Sequence, residues 1–464
     1  MSNSENYDVV IIGAGPGGYV AGIRAAQLGL KACVIEKDKP GGVCLNWGCI
    51  PSKNLLQQAE LFHDRKDLEA MGLSIDTSGF DYAKVHKKSR GATQRLVKGV
   101  EFLLKKNKVA VIKGSAKIRD KNTVDLDDGT QIKGKNLLIA TGSRPFQLPG
   151  FECDEKQVLS STGLLAMTEL PGSMIILGAG AIGCEFAYVM NAFGVQVTLV
   201  EMVDHILPFE DEETVAVLAK SFTKSGITLM TSTKAVSLSK TDKSVTVTLE
   251  DKDGNRQDVT ADKALAVFGR TPNTDGIGLE NIGIETRKGY IPVGDYCRTT
   301  TAGVYAIGDV VATPLLAHVA SKEGEIAVEH MAGHEPDPKI DINAVPSAIY
   351  CEPQVASFGL RESQAVADKI AFKKTMFPYR GIGKATATGK SDGMIKVLYD
   401  PETHEILGAH IVGHDATELI HELLLAKVSE LVPEEVAGMI HAHPTISEGL
   451  MEALRGVDGQ PIHM

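Results

Sequence analysis

Two stretches of the chain share one pattern, in which an apolar strand, a glycine-rich turn, a helix and a second strand ending in glutamate follow one another. The first stretch runs from Tyr7 to Glu36 and the second from Met174 to Glu201. In a G-x-G-x-x-G turn the first glycine forms the turn, the second lets a pyrophosphate approach the backbone, and the third lets the helix pack closely on the strand. The glycines are Gly13, Gly15 and Gly18 in the first copy and Gly178, Gly180 and Gly183 in the second. One such fingerprint is a weak indication, but two with their acids in register predict two doubly wound α/β domains that bind dinucleotides.

The glutamate at the end of each unit indicates which nucleotide binds. Glu36 can accept hydrogen bonds from ribose hydroxyls. Glu201 favours a free 2′-hydroxyl and repels a 2′-phosphate, and residues 202–205 contain no arginine that could hold that phosphate. The second site is therefore predicted to bind NAD and not NADP.

Two cysteines, Cys44 and Cys49, lie in a glycine-flanked stretch directly after the first unit, and Lys53 follows them. Residues five apart on an ideal helix point about 140° away from each other, and a disulfide needs Cα atoms within about 7 Å. The cysteines can therefore pair only if the backbone leaves helical geometry between them, and Gly48 makes such a bend easy. A helix starting near Cys49 would lower the pKa of its thiol. The stretch is either a dithiol that opens and closes or two buried cysteines that never meet.

Composition narrows the class of protein. A chain of 464 residues is too long for one core, and its net charge of -11 argues against a surface for nucleic acid or anionic membranes. Seven scattered cysteines do not form a secreted disulfide framework. The first residues show neither a secretory nor a mitochondrial targeting pattern, and no apolar run reaches the length of a membrane span. We expect a cytoplasmic protein, in which a disulfide is more often catalytic than structural.

Several weaker patterns predict local structure. The segment from Leu55 to about Lys108 is predicted to be helical, with a basic, solvated face. The acidic run Glu210–Glu213 is predicted to be a solvated helix start, and Asp415 and Glu418 fit the N-terminal cap of a later helix.

The end of the chain contains His443, Pro444 and Glu448 in the sequence HAHPTISE. A carboxylate such as Glu448 can hold an imidazole in one tautomer and stabilise its cation. The alternative is a pair of surface histidines, His441 and His443, beside a turn.

The predicted domains follow from these elements. The run that ends at Asp309 resembles the strand that ends at Gly142, so we expect the chain to return to the first domain after an inserted second one. The boundaries are predicted at 1–147 and 277–345 for the first domain, 148–276 for the inserted domain and 346–464 for a C-terminal α+β domain.

Taken in this order, the motifs resemble those of the flavin-dependent pyridine-nucleotide disulfide oxidoreductases, over nearly the whole chain. The most specific parts are the stretch 41–53, written GGxCxxxxCxPSK, and the stretch 443–448, written HPTxxE. Within the family the resemblance is closest to the branch that oxidises dihydrolipoamide. It implies two Rossmann-like domains, with the NAD domain inserted in the FAD domain, and a C-terminal dimerisation domain.

The same resemblance implies FAD at the first dinucleotide site and NAD at the second. Asp309 matches the acid that binds the ribityl chain of FAD, and Lys53 matches a lysine near N5 of the ring, paired with a glutamate that falls on Glu185. The implied FAD residues are Gly13, Gly15, Gly18, Glu36, Lys53, Gly114, Ser143, Asp309, Leu315, Leu316, Ala317 and His318. The implied NAD residues are Gly178, Gly180, Gly183, Glu185, Glu201 and Gly269.

The resemblance also implies roles in the reaction. Cys44 and Cys49 would form the redox disulfide, with Cys44 facing the substrate and Cys49 facing the flavin. His443 would take a proton from the substrate dithiol, with Glu448 orienting it. The family is homodimeric, and the histidine comes from the other subunit. The implied partners are the lipoyl domains of acyltransferases or H-protein-like carriers, in 2-oxo-acid dehydrogenase or glycine cleavage complexes.

Three alternatives can be compared with the sequence. A glutathione-type reductase should carry NADP-binding arginines after Glu201, and a mercuric-type reductase should carry a second cysteine pair at the C-terminus; neither is present. A purely structural subunit would not need both cysteines, Lys53 and the histidine–glutamate pair. Two residues have no role in the reaction in this picture. Trp47 stands where smaller aliphatic residues are common in the family, and we interpret it as local packing; Cys184 we interpret as an ordinary buried thiol.

Overall fold

The computed structural model describes residues 6–464. Residues 1–5, part of the stretch that shows no targeting pattern, lie outside the described residues. The chain forms two units, one made of residues 6–54, 83–146 and 269–340 and the other of residues 55–82, 147–268 and 341–464. Within the described residues, no helix combines the length and the apolar character that crossing a membrane requires.

The helices and strands follow in chain order. The α-helices are α1 (Pro16–Gln27), α2 (Gly42–Trp47), α3 (Cys49–His63), α4 (Arg65–Ala70), α5 (Tyr82–Lys106), α6 (Ser161–Ala166), α7 (Ala181–Ala192), α8 (Glu212–Lys224), α9 (Ala317–Met331), α10 (Glu362–Ala367), α11 (Gly383–Ala387), α12 (Ala416–Val428), α13 (Pro433–Ala437) and α14 (Glu448–Arg455). The strands are β1 (Asn6–Ile12), β2 (Ala32–Glu36), β3 (Ala110–Lys113), β4 (Ala116–Asp120), β5 (Thr123–Leu126), β6 (Gln131–Ile139), β7 (Ser143–Pro145), β8 (Val158–Leu159), β9 (Ser173–Leu177), β10 (Gln196–Val200), β11 (Thr228–Met230), β12 (Thr233–Lys240), β13 (Val245–Asp251), β14 (Arg256–Ala261), β15 (Lys263–Ala266), β16 (Arg270–Pro272), β17 (Val304–Ala306), β18 (Ser347–Ile349), β19 (Gln354–Gly359), β20 (Lys373–Pro378), β21 (Met394–Tyr399) and β22 (Ile406–Gly413).

The first unit is built on a sheet in which β3, β2, β1 and β6 run parallel. The second half of β6 pairs in parallel with β17, and its first half pairs antiparallel with β5. Because β17 comes after the second dinucleotide segment, this pairing confirms that the chain returns to its first domain. The first domain is thus split by an insertion.

The central strand β1 shows why its sequence is an unbroken apolar run. Val9 and Ile11 belong to one buried cluster, whereas Val10 and Ile12 belong to another. Successive side chains of a strand point to opposite faces, so both faces of this sheet are covered. A strand buried on both faces needs apolar residues at every position.

The second unit contains the second dinucleotide segment and the C-terminal domain. Its parallel sheet has the order β11-β10-β9-β15-β8, and a separate antiparallel sheet has the order β12-β13-β14. The C-terminal domain is an antiparallel sheet of order β18-β19-β22-β21-β20, whose residues share one buried cluster with α12 and α14. The predicted α/β fold with a C-terminal α+β domain is confirmed.

The structure corrects two local predictions and confirms a third. The segment from Leu55 to Lys108 is helical only in part, because residues 71–81 contain no helix. The prediction for α12 is confirmed in position, because Asp415 is its N-cap and Glu418 lies in its first turn, although Asp415 makes no side-chain hydrogen bond there and has a φ of +60°.

The acidic run before α8 is not solvated throughout. Glu210 and Asp211 are buried, with 6% and 3% of their surface exposed. The prediction of a solvated run is therefore wrong for these two carboxylates. Their partners lie in the C-terminal domain and cannot be recognised from neighbouring sequence.

Candidate active site

The first glycine turn has the geometry that a dinucleotide requires. Gly13 has a φ of +104°, and a Cβ there would lie 2.2 Å from the carbonyl oxygen of Ala140. A Cβ on Gly18 would lie 1.9 Å from the carbonyl oxygen of Gly13. A Cβ on Gly15, by contrast, would have no described heavy atom within 4 Å beyond its chain neighbours. The fold itself therefore demands the first and third glycines, whereas the second leaves space for a ligand.

The second glycine turn repeats this geometry. Gly178 has a φ of +106°, and its Cβ would lie 2.6 Å from the carbonyl oxygen of Val267. A Cβ on Gly183 would lie 1.9 Å from the carbonyl oxygen of Gly178. Gly180 again has open space where a Cβ would stand, among the residues described.

The two glutamates lie beside their own turns. Glu36 Oε2 accepts a hydrogen bond of 2.8 Å from the backbone N–H of Ala14. Glu201 Oε2 accepts one of the same length from the backbone N–H of Ala179. Each carboxylate is thus fixed at the turn, as a ribose-binding acid should be.

The helices that follow the turns are also suited to phosphate. Gly15 and Gly180 stand at the N-caps of α1 and α7, and neither helix has a side-chain hydrogen bond at its cap. The first amides of a helix and its dipole favour an anion at such an uncapped N-terminus. The residues present therefore fit two pyrophosphate-containing groups.

The cysteine stretch breaks between two helices. α2 ends at Trp47 and α3 begins at Cys49, with Gly48 at φ −154° and ψ −113° between them. This break brings the Cα atoms of Cys44 and Cys49 to 4.7 Å, and the two cysteines form a disulfide. The interpretation that they never meet is wrong. Cys49 stands in the first turn of α3, where a thiolate is stabilised.

The disulfide segment packs on the first glycine turn. The backbone N–H of Gly41 donates to the carbonyl oxygen of Ala14 at 2.7 Å. Gly42 has a φ of +57°, and a Cβ there would lie 2.6 Å from the Cα of Gly15. The redox cysteines and the first dinucleotide turn are therefore parts of one site.

Trp47 anchors this segment to helix α5. Its indole Nε1 donates to Asp38 Oδ2 at 3.2 Å, and the guanidinium of Arg90 lies 4.7 Å from the centre of its ring. Next to that arginine, Ser89 Oγ donates to the carbonyl oxygen of Pro51 at 3.0 Å. Burial lowers the pKa of Arg90. The tryptophan thus has the local packing role that the sequence indicated.

A polar cluster joins the predicted FAD contacts Ser143 and Asp309 through Arg270. Ser143 Oγ donates to Asp309 and accepts from Arg270 Nε at 2.6 Å. The same guanidinium lies 3.6 Å from the carboxylate of Asp309. Burial lowers the pKa of Arg270, and the Asp309 carboxylate opposes that shift. Sequence reasoning missed this arginine; its position directly after Gly269 was the available signal.

Glu323 on α9 is a second residue that the sequence did not reveal. Its side chain is buried, and its Oε2 accepts a hydrogen bond of 2.6 Å from the backbone N–H of Gly308. Burial raises the pKa of Glu323, although the hydrogen bond from Gly308 opposes the shift. The carboxylate fixes the turn that carries Asp309.

The C-terminal histidines each face a carboxylate. His443 Nδ1 lies 2.8 Å from Glu448 Oε1, and the backbone N–H of Thr445 donates to the other oxygen of that carboxylate at 2.8 Å. Burial acts to raise the pKa of Glu448, but the hydrogen bonds from Thr445 and His443 outweigh it and lower the pKa. His441 lies 2.9 Å from Glu422, and its side chain is only 3% exposed. The alternative of two surface histidines is therefore wrong for His441, whereas the side chain of His443 is 75% exposed.

The remaining predicted site residues fall in both units. In the first unit the backbone N–H of Gly114 donates to the carbonyl oxygen of Glu36 at 3.1 Å. The first unit also contains Cys44, Cys49, Lys53, Leu315, Leu316, Ala317, His318 and Gly269. The second unit contains Glu185, His443 and Glu448. Glu185 Oε1 accepts a hydrogen bond from the backbone N–H of Tyr350 at 3.2 Å.

Cys184 behaves as an ordinary buried thiol. It is fully buried, and its Sγ donates to the carbonyl oxygen of Ala179 at 3.2 Å. Burial raises the pKa of this thiol, and the Glu185 carboxylate adds to the shift. A thiol that resists ionisation is a poor nucleophile.

Family models match these motifs over most of the chain. Residues 7–324 match the model described as pyridine nucleotide-disulphide oxidoreductase, and residues 345–454 match the dimerisation domain of the same family. The chain belongs to the pyridine nucleotide-disulphide oxidoreductase family. Members of this family use FAD and NAD, so the protein is an NAD-dependent flavoprotein oxidoreductase. Its dimerisation domain makes it a homodimer.

Curated relatives extend over the same length. The dihydrolipoyl dehydrogenase of Bacillus subtilis is 44% identical over 474 residues, which cover 99% of this chain and 100% of that protein. The enzyme of the same name from Mycobacterium tuberculosis is 44% identical over 464 residues, 99% of each chain. Dihydrolipoyl dehydrogenase 1, mitochondrial, of Arabidopsis thaliana is 42% identical and covers all of this chain and 92% of its own.

Solved structures show the same fold. LpdA from Mycobacterium tuberculosis has a TM-score of 0.89 and 29% identity, covering 96% of this chain and 98% of that chain. The Cu(II) complex of RclA, an HOCl-induced flavoprotein disulfide reductase from Escherichia coli, has a TM-score of 0.87 and 26% identity. It covers 97% of this chain and 99% of that chain.

Proposed function

We propose that this protein is a dihydrolipoyl dehydrogenase, which oxidises dihydrolipoamide to lipoamide and passes the two electrons to NAD. One observation carries the proposal: the disulfide between Cys44 and Cys49 is held against the first glycine turn. The chain in which this arrangement occurs is 44% identical, over 99% of its length, to the Bacillus subtilis enzyme of that name.

The reaction begins with thiol–disulfide exchange. A thiolate of dihydrolipoamide attacks Sγ of Cys44, the Cys44–Cys49 bond breaks, and Cys49 leaves as a thiolate. The second substrate thiol then attacks the substrate sulfur of the mixed disulfide, which releases lipoamide and frees Cys44. Two electrons have then moved from the substrate to the cysteine pair, and the two substrate thiols have lost their protons. The start of α3 suits Cys49 as the leaving thiolate, because a helix N-terminus lowers a thiol pKa.

His443 accepts a proton from the substrate dithiol in this proposal, and it acts on the cysteine pair of the other subunit. Glu448 orients the imidazole through the 2.8 Å contact with Nδ1. Because the pKa of Glu448 is lowered, its carboxylate remains ionised and stabilises the imidazolium that forms.

The two dinucleotide turns are assigned to the two cofactors. Bound FAD supplies the redox carrier between the cysteine pair and NAD. The residues proposed to hold it are Gly13, Gly15, Gly18, Glu36, Lys53, Gly114, Ser143, Asp309, Leu315, Leu316, Ala317 and His318, to which Arg270 is added as the partner of Ser143 and Asp309. The residues proposed to hold NAD are Gly178, Gly180, Gly183, Glu185, Glu201 and Gly269.

The proposal extends to organisation and partners. The domains are assigned to residues 1–147 and 277–345 for FAD, 148–276 for NAD and 346–464 for dimerisation. The substrate is dihydrolipoamide carried on lipoyl domains of acyltransferases or H-protein-like carriers. A cytoplasmic location belongs to the same proposal, because disulfides there are mostly catalytic, as the Cys44–Cys49 disulfide is proposed to be.

Anaerobic titration of the purified protein with dihydrolipoamide, followed by NAD and then NADP, tests the proposal. We expect a yellow protein that gains long-wavelength thiolate–flavin absorption and then reduces NAD but not NADP, because Glu201 repels a 2′-phosphate. A yellow protein that dihydrolipoamide does not reduce would indicate that the substrate is a different disulfide. Reduction of NADP would contradict the role of Glu201.

Replacing either redox cysteine separates the dithiol mechanism from its alternatives. Cys44→Ser and Cys49→Ser are each expected to lower turnover of dihydrolipoamide by about a thousandfold or more, since exchange needs both sulfurs. Cys153→Ser is the matched control, because that half-buried thiol lies outside the proposed reaction. Unchanged turnover in a Cys44→Ser or Cys49→Ser variant would refute the mechanism.

A further inference from the structure

The segment from Leu207 to Asp211 contacts the second glycine turn. The backbone N–H of Leu207 donates to the carbonyl oxygen of Ala179 at 2.8 Å, and that of Glu210 donates to the carbonyl oxygen of Leu207 at 2.9 Å. Leu207 is buried and has a φ of +50°, a conformation that a residue with a side chain seldom adopts. Since Glu201 holds the N–H of Ala179, both backbone groups of that turn residue are fixed.

The other side of the 207–211 segment is held by the C-terminal domain. Ser347 Oγ and Ser357 Oγ each donate a hydrogen bond of 2.6 Å to one oxygen of the Glu210 carboxylate. Arg361 Nη1 donates to the carbonyl oxygen of Pro208 at 3.1 Å. These three contacts come from β18, β19 and the residue before α10. Together they hold Pro208 and Glu210 in place.

A buried ion pair also holds the 207–211 segment in place. Lys396 on β21 is fully buried, and its Nζ lies 2.8 Å from Asp211 Oδ2. The same nitrogen lies 2.5 Å from Glu213 and 2.6 Å from Glu362. Asp211 Oδ1 in turn accepts from the backbone N–H of Glu213 at 3.2 Å at the start of α8.

Burying charged groups in this way is not an efficient means of stabilising the fold. Removing charges from water is costly, and apolar replacements of buried ion pairs are often neutral or stabilising. Burial raises the pKa of Glu210, although its two serine partners oppose the shift. What directed hydrogen bonds and ion pairs provide, and apolar contacts do not, is a defined position for the segment that they hold.

We propose that the C-terminal domain positions the NAD turn through the 207–211 segment, with Glu210 as the central positioning residue. Through Leu207 the segment sets the position of Ala179, and hence of Gly178 and Gly180, the glycines proposed to hold NAD. This inference rests on the proposed function, in which the second turn binds NAD. It gives the dimerisation domain a second role, in nucleotide affinity.

The test compares Glu210→Ala with Glu212→Ala in the full-length FAD-loaded protein. Glu212 is exposed in the first turn of α8. Its variant therefore removes the same charge from the same helix end but leaves the contacts between the 207–211 segment and the C-terminal domain intact. For Glu210→Ala we expect the Kd for NADH, measured by calorimetry, and the KM for NAD to rise about tenfold. The KM for dihydrolipoamide should change by less than about twofold, and Glu212→Ala should behave as the wild type.

A double variant, Ser347→Ala with Ser357→Ala, removes only the two hydroxyl donors and guards against misfolding of Glu210→Ala. It should raise the Kd for NADH in the same direction. Hydrogen exchange without nucleotide provides a second measurement: deuterium uptake in peptides covering residues 178–184 should rise in both variants. Uptake in β13 and β14 should stay at the wild-type level.

The outcomes separate the two proposals. Variants with wild-type affinity for NADH and wild-type exchange at residues 178–184 would overturn the positioning role. A lower Tm with unchanged NADH affinity would also overturn it, since it would show a structural role only. A wild-type protein that does not bind NADH would instead overturn the proposed function on which the inference rests.

Discussion

At the scale of single residues, the glycines of each turn differ in what requires them. Gly13 and Gly178 have positive φ, and added side chains at Gly18 and Gly183 would run into the turn backbone. These four glycines are required by the folded backbone. A Cβ on Gly15 or Gly180 would have no described heavy atom within 4 Å beyond its chain neighbours, and a pyrophosphate bound close to the backbone would account for the absence of a side chain there.

Gly180→Ala is therefore expected to fold normally and to bind NADH at least about tenfold more weakly, because the new methyl occupies the path of the pyrophosphate. Thermal unfolding and NADH calorimetry measure the two properties separately. Gly183→Ala provides the contrast, because its Cβ would lie 1.9 Å from a backbone oxygen; it should lower the free energy of unfolding by about 2 kcal/mol or more. Wild-type affinity in Gly180→Ala would mean that the second turn does not bind the nucleotide.

At the scale of elements, a polar contact joins the segments that follow two strands of the C-terminal domain. His414 follows β22 and Glu352 follows β18, and His414 Nδ1 lies 3.5 Å from Glu352 Oε2. The hydrogen bond with Glu352 raises the pKa of His414, while burial and Lys390 oppose the shift and Asp415 adds to it. The pair thus connects two strand ends that are far apart in sequence.

This pair makes stability depend on pH in a defined direction. A histidine whose pKa is raised on folding stabilises the fold fully below its unfolded pKa of about 6.5, and the contribution is lost as the pH rises through the folded pKa. His414→Gln should therefore lower Tm more at about pH 5 than at about pH 9. Thermal unfolding of wild type and variant at both pH values measures the difference. An equal loss of Tm at both values would rule out the contribution of the charged pair.

At the scale of the whole molecule, the dimer is expected to complete each active site. His443 and Glu448 form their pair within one chain, and in the proposed function this pair serves the cysteines of the other chain. A heterodimer of a His443→Ala chain and a Cys44→Ser chain would then contain one intact site and one doubly altered site.

Such heterodimers should show about half the activity of the wild-type dimer, because one site of two is complete. Differently tagged chains, co-expressed and purified through both tags, allow the measurement. Each altered homodimer is the control and should be nearly inactive. Heterodimers without activity would show that the histidine acts on its own chain's cysteines.

The amino-acid sequence alone determined the two dinucleotide turns, their acids, the cysteine pair and the final histidine with its glutamate. Each of these is a local pattern, in which residue spacing along the chain already implies geometry: a glycine turn between strand and helix, or a glycine that interrupts a helix at Gly48. The order of these patterns also indicated the split first domain, which the pairing of β17 with β6 confirmed.

Only the tertiary structure decided the partners of buried polar groups. Lys396 and Asp211 are 185 residues apart, and Arg270 and Ser143 are 127 apart. The sequence around Glu210 is that of an ordinary acidic helix start. Nothing near it indicates that two serines from another domain donate hydrogen bonds to Glu210. Burial makes an unpartnered carboxylate costly, but which distant donor satisfies it depends on how the sheets and helices pack. For that reason the turns were predictable, whereas the residues that hold them in place were not.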